Sequence, residues 1–439
     1  MVFTYESFNP ESLKICAQFE VLSDSELGQR ILFLQGAQRI WVQTPLEERK
    51  RALRAMGGEL RAHQTQLAEL MTQELGKPLK EAQAELKKCI QSIEDFCDLV
   101  NPSHLVEREP LGLILGVMPW NFPVWQVIRS AVPCLLAGNA YLLKPSELVP
   151  QTSLLLAELM KKHLSVFEVG FLEHHQVSKL LESSDIQGFS FTGSTTVGRL
   201  LAQKAAYEMK PYVLELGGSD PYLVFEAADL ALSVKSLVKA RSQNNGQSCL
   251  AAKRWIIHEK LKKDFLTRVQ AEWESYKIGE ACQMETDLSV LAHPRFKEKT
   301  DAQIEYLFKK DKGVKLYERS VEKHPSRVAP QVIEVGTPSL FYQTEEIFAP
   351  VAMLSWFKTE EEALGLANAT QYGLGAAVFT EDTDQASRVA RGLQSGAVFI
   401  NDFVKSDLKF AIGGRKFSGR GYEMGLLGLM EFTALKWVK

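Results

Sequence analysis

The order of apolar and polar positions divides the chain into three stretches. Residues 45–98 repeat apolar side chains three and four apart among charges, as in LEERKRALRAMGGELRAHQTQLAELMTQEL, which predicts amphipathic helix. Between 111 and 226 short apolar runs alternate with helical patterns. LILGVM precedes a helix starting after Pro123, AYLLK precedes SLLLAELMKKHL, VFEVGFL precedes QVSKLLES, GFSFTG precedes TTVGRLLAQKAA, and YVLEL closes the series. Strand and helix alternating in such short units predict a parallel sheet wrapped by helices, an α/β fold. A sheet of this kind collects ligands at the carboxyl ends of its strands. The pattern restarts after DPYLVF (220–225), with a helix over about 229–242, the strand KRWIIHE and the helix LKKDFLTRVQAEWESY. VAMLSWF, EEEALGLANA, GAAVFT, TDQASRVARGL and GAVFIN continue it, which predicts a second α/β domain.

Composition narrows the functional classes. The 439 residues are 45% hydrophobic and 24% charged, enough for two or three domains. A net charge of −3 offers no basic excess for nucleic acid or an anionic membrane. The longest apolar runs, 111–118 and 132–143, are interrupted by Gly, Pro or Asn and are too short to span a bilayer. MVFTYESFNPES has neither a basic start nor an apolar core, so a cytoplasmic protein is expected. The cysteines, at 16, 89, 97, 134, 249 and 282, form no CxxC pair and read as reduced thiols. The eight histidines form no HExxH, and no metal is expected.

Chemistry gathers at strand ends. NNGQSCLAAKR places Cys249 between a polar turn and a small apolar run, where it is either a nucleophile or a space-filling residue. GVMPWNFPVW (116–125) ends a strand, turns through Asn121 and starts a helix at Pro123. LLKPSE puts Lys144 and Glu147 just past another strand end. GFSFTGSTTVG runs through Gly193 and Ser194 into a helix N-terminus, which can hold a phosphate. YVLELGG buries Glu215 in an apolar strand, either as a salt-bridged core residue or as a carboxyl raised towards general-base duty.

The order WNFP, KPSE, FTGS, LELGG, GQSC, EEIFAP, NATQYGL, GAVFIN and GGRKFSGRG resembles the NAD(P)-dependent aldehyde dehydrogenases over about residues 40–437. The resemblance implies two parallel-sheet α/β domains with a small oligomerisation flap. The cofactor domain would span 1–217, with 92–110 in the flap, the catalytic domain 218–415, and a return segment and tail 416–439. It implies Cys249 as nucleophile, Glu215 as general base and Asn121 as oxyanion donor. For the cofactor it implies Lys144 and Glu147 at the adenosine ribose and Gly193 and Ser194 at the pyrophosphate. Glu346 would hold the nicotinamide ribose, with Phe348 and Trp120 lining the cleft. A carboxylate at position 147 repels a ribose 2′-phosphate, so NAD is expected over NADP.

Within the family, LELGGSDPYLVF and QNNGQSCLAAKR look like the short bacterial succinate-semialdehyde dehydrogenases. Arg129 matches an arginine that such enzymes aim at a substrate carboxylate, and an Arg fork suits one. Gln243 stands where some relatives carry a second arginine, and Ser406 is a further candidate contact. Other small aldehydes, transfer of the thioester to coenzyme A, or a non-catalytic homologue remain alternative readings. Ala349, Ala411, Ile412 and Tyr422 depart from the usual pattern, and Ala349 would be strained if its backbone needed a positive φ. A homodimer or homotetramer is implied, with the tail EFTALKWVK and Trp437 at its interface.

Overall fold

A computed structural model describes residues 4–336 and 339–438. Residues 1–3 and Lys439, the extreme ends of the expected first and last segments, lie outside them. Two large sheets organise the molecule. The first orders its strands Gly419–Arg420, Tyr212–Glu215, Gly188–Thr192, Leu113–Val117, Ala140–Lys144 and Phe167–Val169. All neighbours run parallel except Gly419–Arg420, which returns antiparallel along Tyr212–Glu215. The second orders Val314–Glu318, Gln331–Glu334, Val351–Phe357, Ala252–His258, Asp220–Val224, Gly375–Phe379 and Ala397–Ile400. Only Val314–Glu318 is antiparallel to its neighbour.

The strands that read as continuous apolar runs are buried on both faces, as parallel strands covered by helices must be. The helix Pro123–Leu136 is buried at every position, which explains why it lacks a polar stripe. Trp255 and Trp273 stack at 5.4 Å behind the second sheet, with Phe265 edge-on to Trp255 at 5.8 Å.

The helical stretch 45–98 is three helices, Leu46–Ala62, Gln64–Leu75 and Leu79–Leu99. The break before Leu79 has a local cause. Gly76 caps the preceding helix at φ 61°, and a Cβ there would lie 2.4 Å from Val290 Cγ2. Residues 92–99 are the last turns of the third helix, with Ile93, Phe96 and Cys97 buried. Beyond them Arg108–Pro110 pairs with Thr433–Leu435 of the tail as a small antiparallel sheet.

The pattern did not predict the N-terminal hairpin Thr4–Asn9/Lys14–Glu20 or the helix Asp24–Trp41. That helix carries exposed Leu32, Phe33 and Ile40, so its apolar residues mark no single face. Its start is nevertheless written locally: Ser23 and Glu26 form a reciprocal capping box.

Candidate active site

Cys249 lies on the wall common to two cavities, one of about 1010 Å³ and one of about 750 Å³, and Gln126 shares that wall. The cysteine follows a turn in which Asn244, Asn245 and Gly246 have φ 51°, 55° and 77° in succession. Left-handed backbone is tolerated by Asn and favoured by Gly. Side-chain bonds hold the turn. Asn245 Nδ2 donates to the carbonyls of Gly76 at 3.0 Å and Val290 at 2.8 Å. Buried Arg241 donates to the Gly246 carbonyl. Gly246 packs so closely on the Ala349–Pro350 peptide that a Cβ would lie 2.3 Å from the Ala349 carbonyl carbon. Ala349 itself is not among the described positive-φ residues, so the alanine there is unstrained.

The thiol of Cys249 is pushed up to about 12, first by burial, with Glu215 and Glu346 adding to the rise. Lys253 and Arg129 oppose it. Lys253 is buried four residues after the cysteine, donates to the Cys249 carbonyl at 2.6 Å and pairs with Glu346 at 2.8 Å.

Asn121 sits at the turn before the helix Pro123–Leu136 and is buried on the wall of the larger cavity. Its Nδ2 donates to the Gln247 carbonyl at 3.1 Å. An amide NH₂ has two donors, so one remains for a ligand. The Asn121 carbonyl accepts from Asn244 Nδ2 at 2.7 Å and Lys77 Nζ at 3.3 Å, which ties this turn to the cysteine turn. Lys77 in turn pairs with buried Glu85, which accepts from the amides of Val124 and Trp125 at the helix start.

Glu215 ends its strand buried, 3.9 Å from Arg129 Nη1. Arg129 is buried as well. Its Nε pairs with Glu423, and its Nη2 donates to Thr192 Oγ1 at 3.3 Å. Burial, and then Glu423, push the Glu215 carboxyl well above the usual carboxylate range, while Arg129 pulls it down. Glu423 is held in place by reciprocal backbone bonds with Ile412, at 2.9 and 2.8 Å. One guanidinium therefore serves two buried carboxyls.

The larger cavity has features that fit a dinucleotide. Its wall includes Trp120, Gly193, Ser194, Glu346 and Phe348, with Arg199 and Lys299 as cations. Ser194 caps the helix Thr195–Tyr207, whose first-turn amides are free of intrahelical partners. Gly193 and Gly217 keep the cradle open: a Cβ would lie 2.5 Å from Phe191 Cζ at the first and 2.7 Å from Glu346 Oε2 at the second. Trp120 stacks on Phe296 at 4.8 Å and meets Phe348 edge-on at 5.9 Å.

Lys144 and Glu147 are not on that wall as described. Lys144 is buried under the N-terminal hairpin, with Nζ 5.4 Å from the Tyr5 ring centre, and burial lowers its pKa. Glu147 is half-buried and pairs with Arg295 at 3.4 Å.

The smaller cavity brings together Arg129, Gln243 and Ser406, far apart in sequence, with Cys249. Sequence reasoning missed Lys253, Glu423, Gln126 and Lys88. Lys253 was visible in the quoted cysteine stretch, and Glu423 follows Tyr422 in the glycine-rich segment GRGYEMG. Lys88 and Gln126 carried no motif signal, since each occupies an ordinary helical position. Among the described residues there is no group of three or more His, Cys, Asp or Glu placed to hold a metal, and no helix long and apolar enough to cross a membrane.

Comparison with known proteins gives a consistent picture. The model of the aldehyde dehydrogenase family matches residues 3–438. A succinate semialdehyde dehydrogenase [NAD(P)+] of Escherichia coli is 37% identical over 91% of this chain and 90% of its own length. A succinate-semialdehyde dehydrogenase [NADP(+)] of Deinococcus radiodurans is 35% identical over 99% and 94%. Among solved structures, succinic semialdehyde dehydrogenase of Streptococcus pyogenes in complex with NADP+ superposes with a TM-score of 0.94 at 28% identity, covering 99% of each chain. A betaine aldehyde dehydrogenase variant of Staphylococcus aureus in complex with NAD+ gives 0.91 at 27%, covering 98% of this chain and 93% of that one.

Proposed function

This chain belongs to the aldehyde dehydrogenase family, and we propose that it oxidises succinate semialdehyde to the dicarboxylate, with Cys249 as nucleophile. The observation that carries the proposal is the placement of Cys249 on the lining of two cavities, with Asn121 on the wall of the larger one and the Glu215 carboxyl near enough to act on the thiol electrostatically.

The chemistry follows from the groups. Cys249 Sγ adds to the aldehyde carbon, and the carbonyl oxygen gains negative charge as the bond forms. The second N–H of Asn121 is the side-chain donor for that oxygen, an interaction of about 3–4 kcal/mol in comparable sites. An oxidised nicotinamide, when bound, would supply the hydride acceptor by which the Cys249 adduct becomes a thioester, and a positive charge that would favour the thiolate. The Thr192–Ser194 turn, Glu346, Phe348 and Trp120 would hold the dinucleotide. Glu215 then takes a proton from the water that releases the acid. Its raised pKa makes it a stronger base once ionised, and Arg129 keeps ionisation within reach.

NAD is the proposed preferred cofactor: Glu147 lies off the wall of the larger cavity, but its carboxylate would repel a 2′-phosphate brought near it, and Arg295, paired with it, offsets part of that charge. Residues 1–217 form the proposed cofactor domain, 218–415 the catalytic domain, and 92–110 with 416–439 the oligomer contacts of a dimer or tetramer. Trp437, Leu435, Val438 and Val106 are exposed large apolar side chains near that small sheet, which supports an interface there. A cytoplasmic location remains part of this reading.

The test is an aldehyde panel with NAD and NADP side by side, followed by absorbance of the reduced cofactor. Succinate semialdehyde should give the highest kcat/KM without coenzyme A. Strict dependence on coenzyme A would make the enzyme acylating. Cofactor binding with no aldehyde oxidised would defeat the enzymatic reading.

A further inference from the structure

The cations of the 750 Å³ cavity can be counted against their partners. Lys80 pairs with Asp287, and Lys405 with Asp402. Arg129 is shared between Glu423 and Glu215. An incoming carboxylate at Arg129 would meet a guanidinium already facing two carboxyls. Lys239 is exposed at the surface over the Phe403 ring, where water screens its charge. Lys88 differs from all of these. Among the described residues no carboxylate lies within ion-pair distance of its ammonium. That ammonium sits 3.9 Å from the Trp125 ring centre and contacts Ser406 Oγ.

The geometry points to Lys88, with Ser406, as the group that receives the carboxylate end of the substrate while Cys249 takes the aldehyde end. This rests on the proposed oxidation at Cys249 and supplies the cation that Gln243 does not. Three observations converge on it. Lys88, Ser406, Gln243 and Cys249 line one cavity. The ammonium is partly desolvated against an aromatic face, so it lacks the hydration that would blunt an ion pair. Ser406 and Gln243 are neutral neighbours that add hydrogen bonds without competing charge. The groups facing Lys88 are Glu85 and Cys89 on its own helix, Arg129 from the helix Pro123–Leu136 and Asp407 from the loop beside Ser406.

The test replaces Lys88 by Met, similar in length and without charge, and compares succinate semialdehyde with pentanal, a chain of similar length without the carboxylate. The ratio of kcat/KM values, acid aldehyde over neutral aldehyde, should fall about 30- to 100-fold, mainly through KM, the size expected for losing one charge-assisted contact. Lys88→Arg should restore part of the ratio. An unchanged ratio with succinate semialdehyde still oxidised would overturn the assignment and leave the dehydrogenase reading standing. A second measurement does not depend on turnover: calorimetric titration of succinate into wild type and Lys88→Met. Binding that weakens tenfold or more in the variant supports the site even if no aldehyde reacts. Failure of wild type to bind succinate, or equal binding by both proteins, counts against it. Ser406→Ala serves if Lys88→Met does not fold, and should lower the same ratio several-fold; no fall rejects the pair.

Discussion

Replacing Arg129 by Met removes the guanidinium that Glu215 and Glu423 share. At the 3.9 Å separation from Glu215, and with an effective dielectric constant of about 20, the lost attraction is about 4 kcal/mol. At about 1.4 kcal/mol per pKa unit, this bounds the rise of the Glu215 pKa at about three units. Glu423 shares the guanidinium, so the rise on Glu215 alone is smaller. Deacylation, which needs ionised Glu215, should slow by roughly ten- to several-hundredfold at fixed pH and recover as the pH is raised. Formation of the thioester should suffer less, because Lys253 remains the larger charge opposing the rise at Cys249. The assay is rapid-mixing absorbance: reduced cofactor should appear in a first-turnover burst followed by a slow steady state. Stability has its own sign. Both carboxyls have raised folded-state pKa values, so the variant is most stable when they are protonated and loses stability as pH rises through those values. A steady-state pH profile that does not move, or burst and steady state slowed equally, would refute this account of Arg129.

Asn121→Ala should cut kcat about 100- to 1000-fold with dinucleotide affinity retained, read by stopped-flow kinetics and calorimetry. Glu147→Ala should raise the kcat/KM for NADP relative to NAD, and Arg295→Ala should lower it, measured with one aldehyde and both cofactors. Burial lowers the Lys88 ammonium to about 8, so the succinate semialdehyde over pentanal ratio should be full below that pH and fall above it. Gly246→Ala places a Cβ against the Ala349–Pro350 peptide at φ 77°, so activity should fall and thermal unfolding should come several degrees earlier.

Sequence reading reached furthest where one residue type does one job. The alternating strands and helices of 111–226 recur as predicted because a strand buried on both faces is written as an unbroken apolar run. Cys249, Glu215 and Asn121 stood out in the sequence because each sits in a short motif at a turn or a strand end, and the structure puts Cys249 in the turn before the strand Ala252–His258 and Glu215 at the end of its strand. The helix Asp24–Trp41 was not, since its exposed Leu32, Phe33 and Ile40 blur the stripe. Lys144 reads in the sequence as a charge just past a strand end, whereas it is the last, buried residue of the strand Ala140–Lys144, with Tyr5 of the N-terminal hairpin over its ammonium. Arg129 shows the same limit: the sequence offers a free guanidinium, whereas the fold places Glu423 beside it from 294 residues away, through the return strand and the Ile412 pairing. Lys88 reads as one more charge on an amphipathic helix, and only tertiary packing separates it from its solvated neighbours.

The wall between the two cavities includes Cys249, which with Gln126 lines both of them. A thiol in such a wall has two doors. Closing one leaves the other open, so a dinucleotide lodged on its own side need not guard the sulfur against a small reagent arriving from the opposite side. Equally, a released acid can depart without the dinucleotide moving aside. The order of arrivals and departures is thus set by affinity and chemistry at each door, not by one partner blocking the other's path.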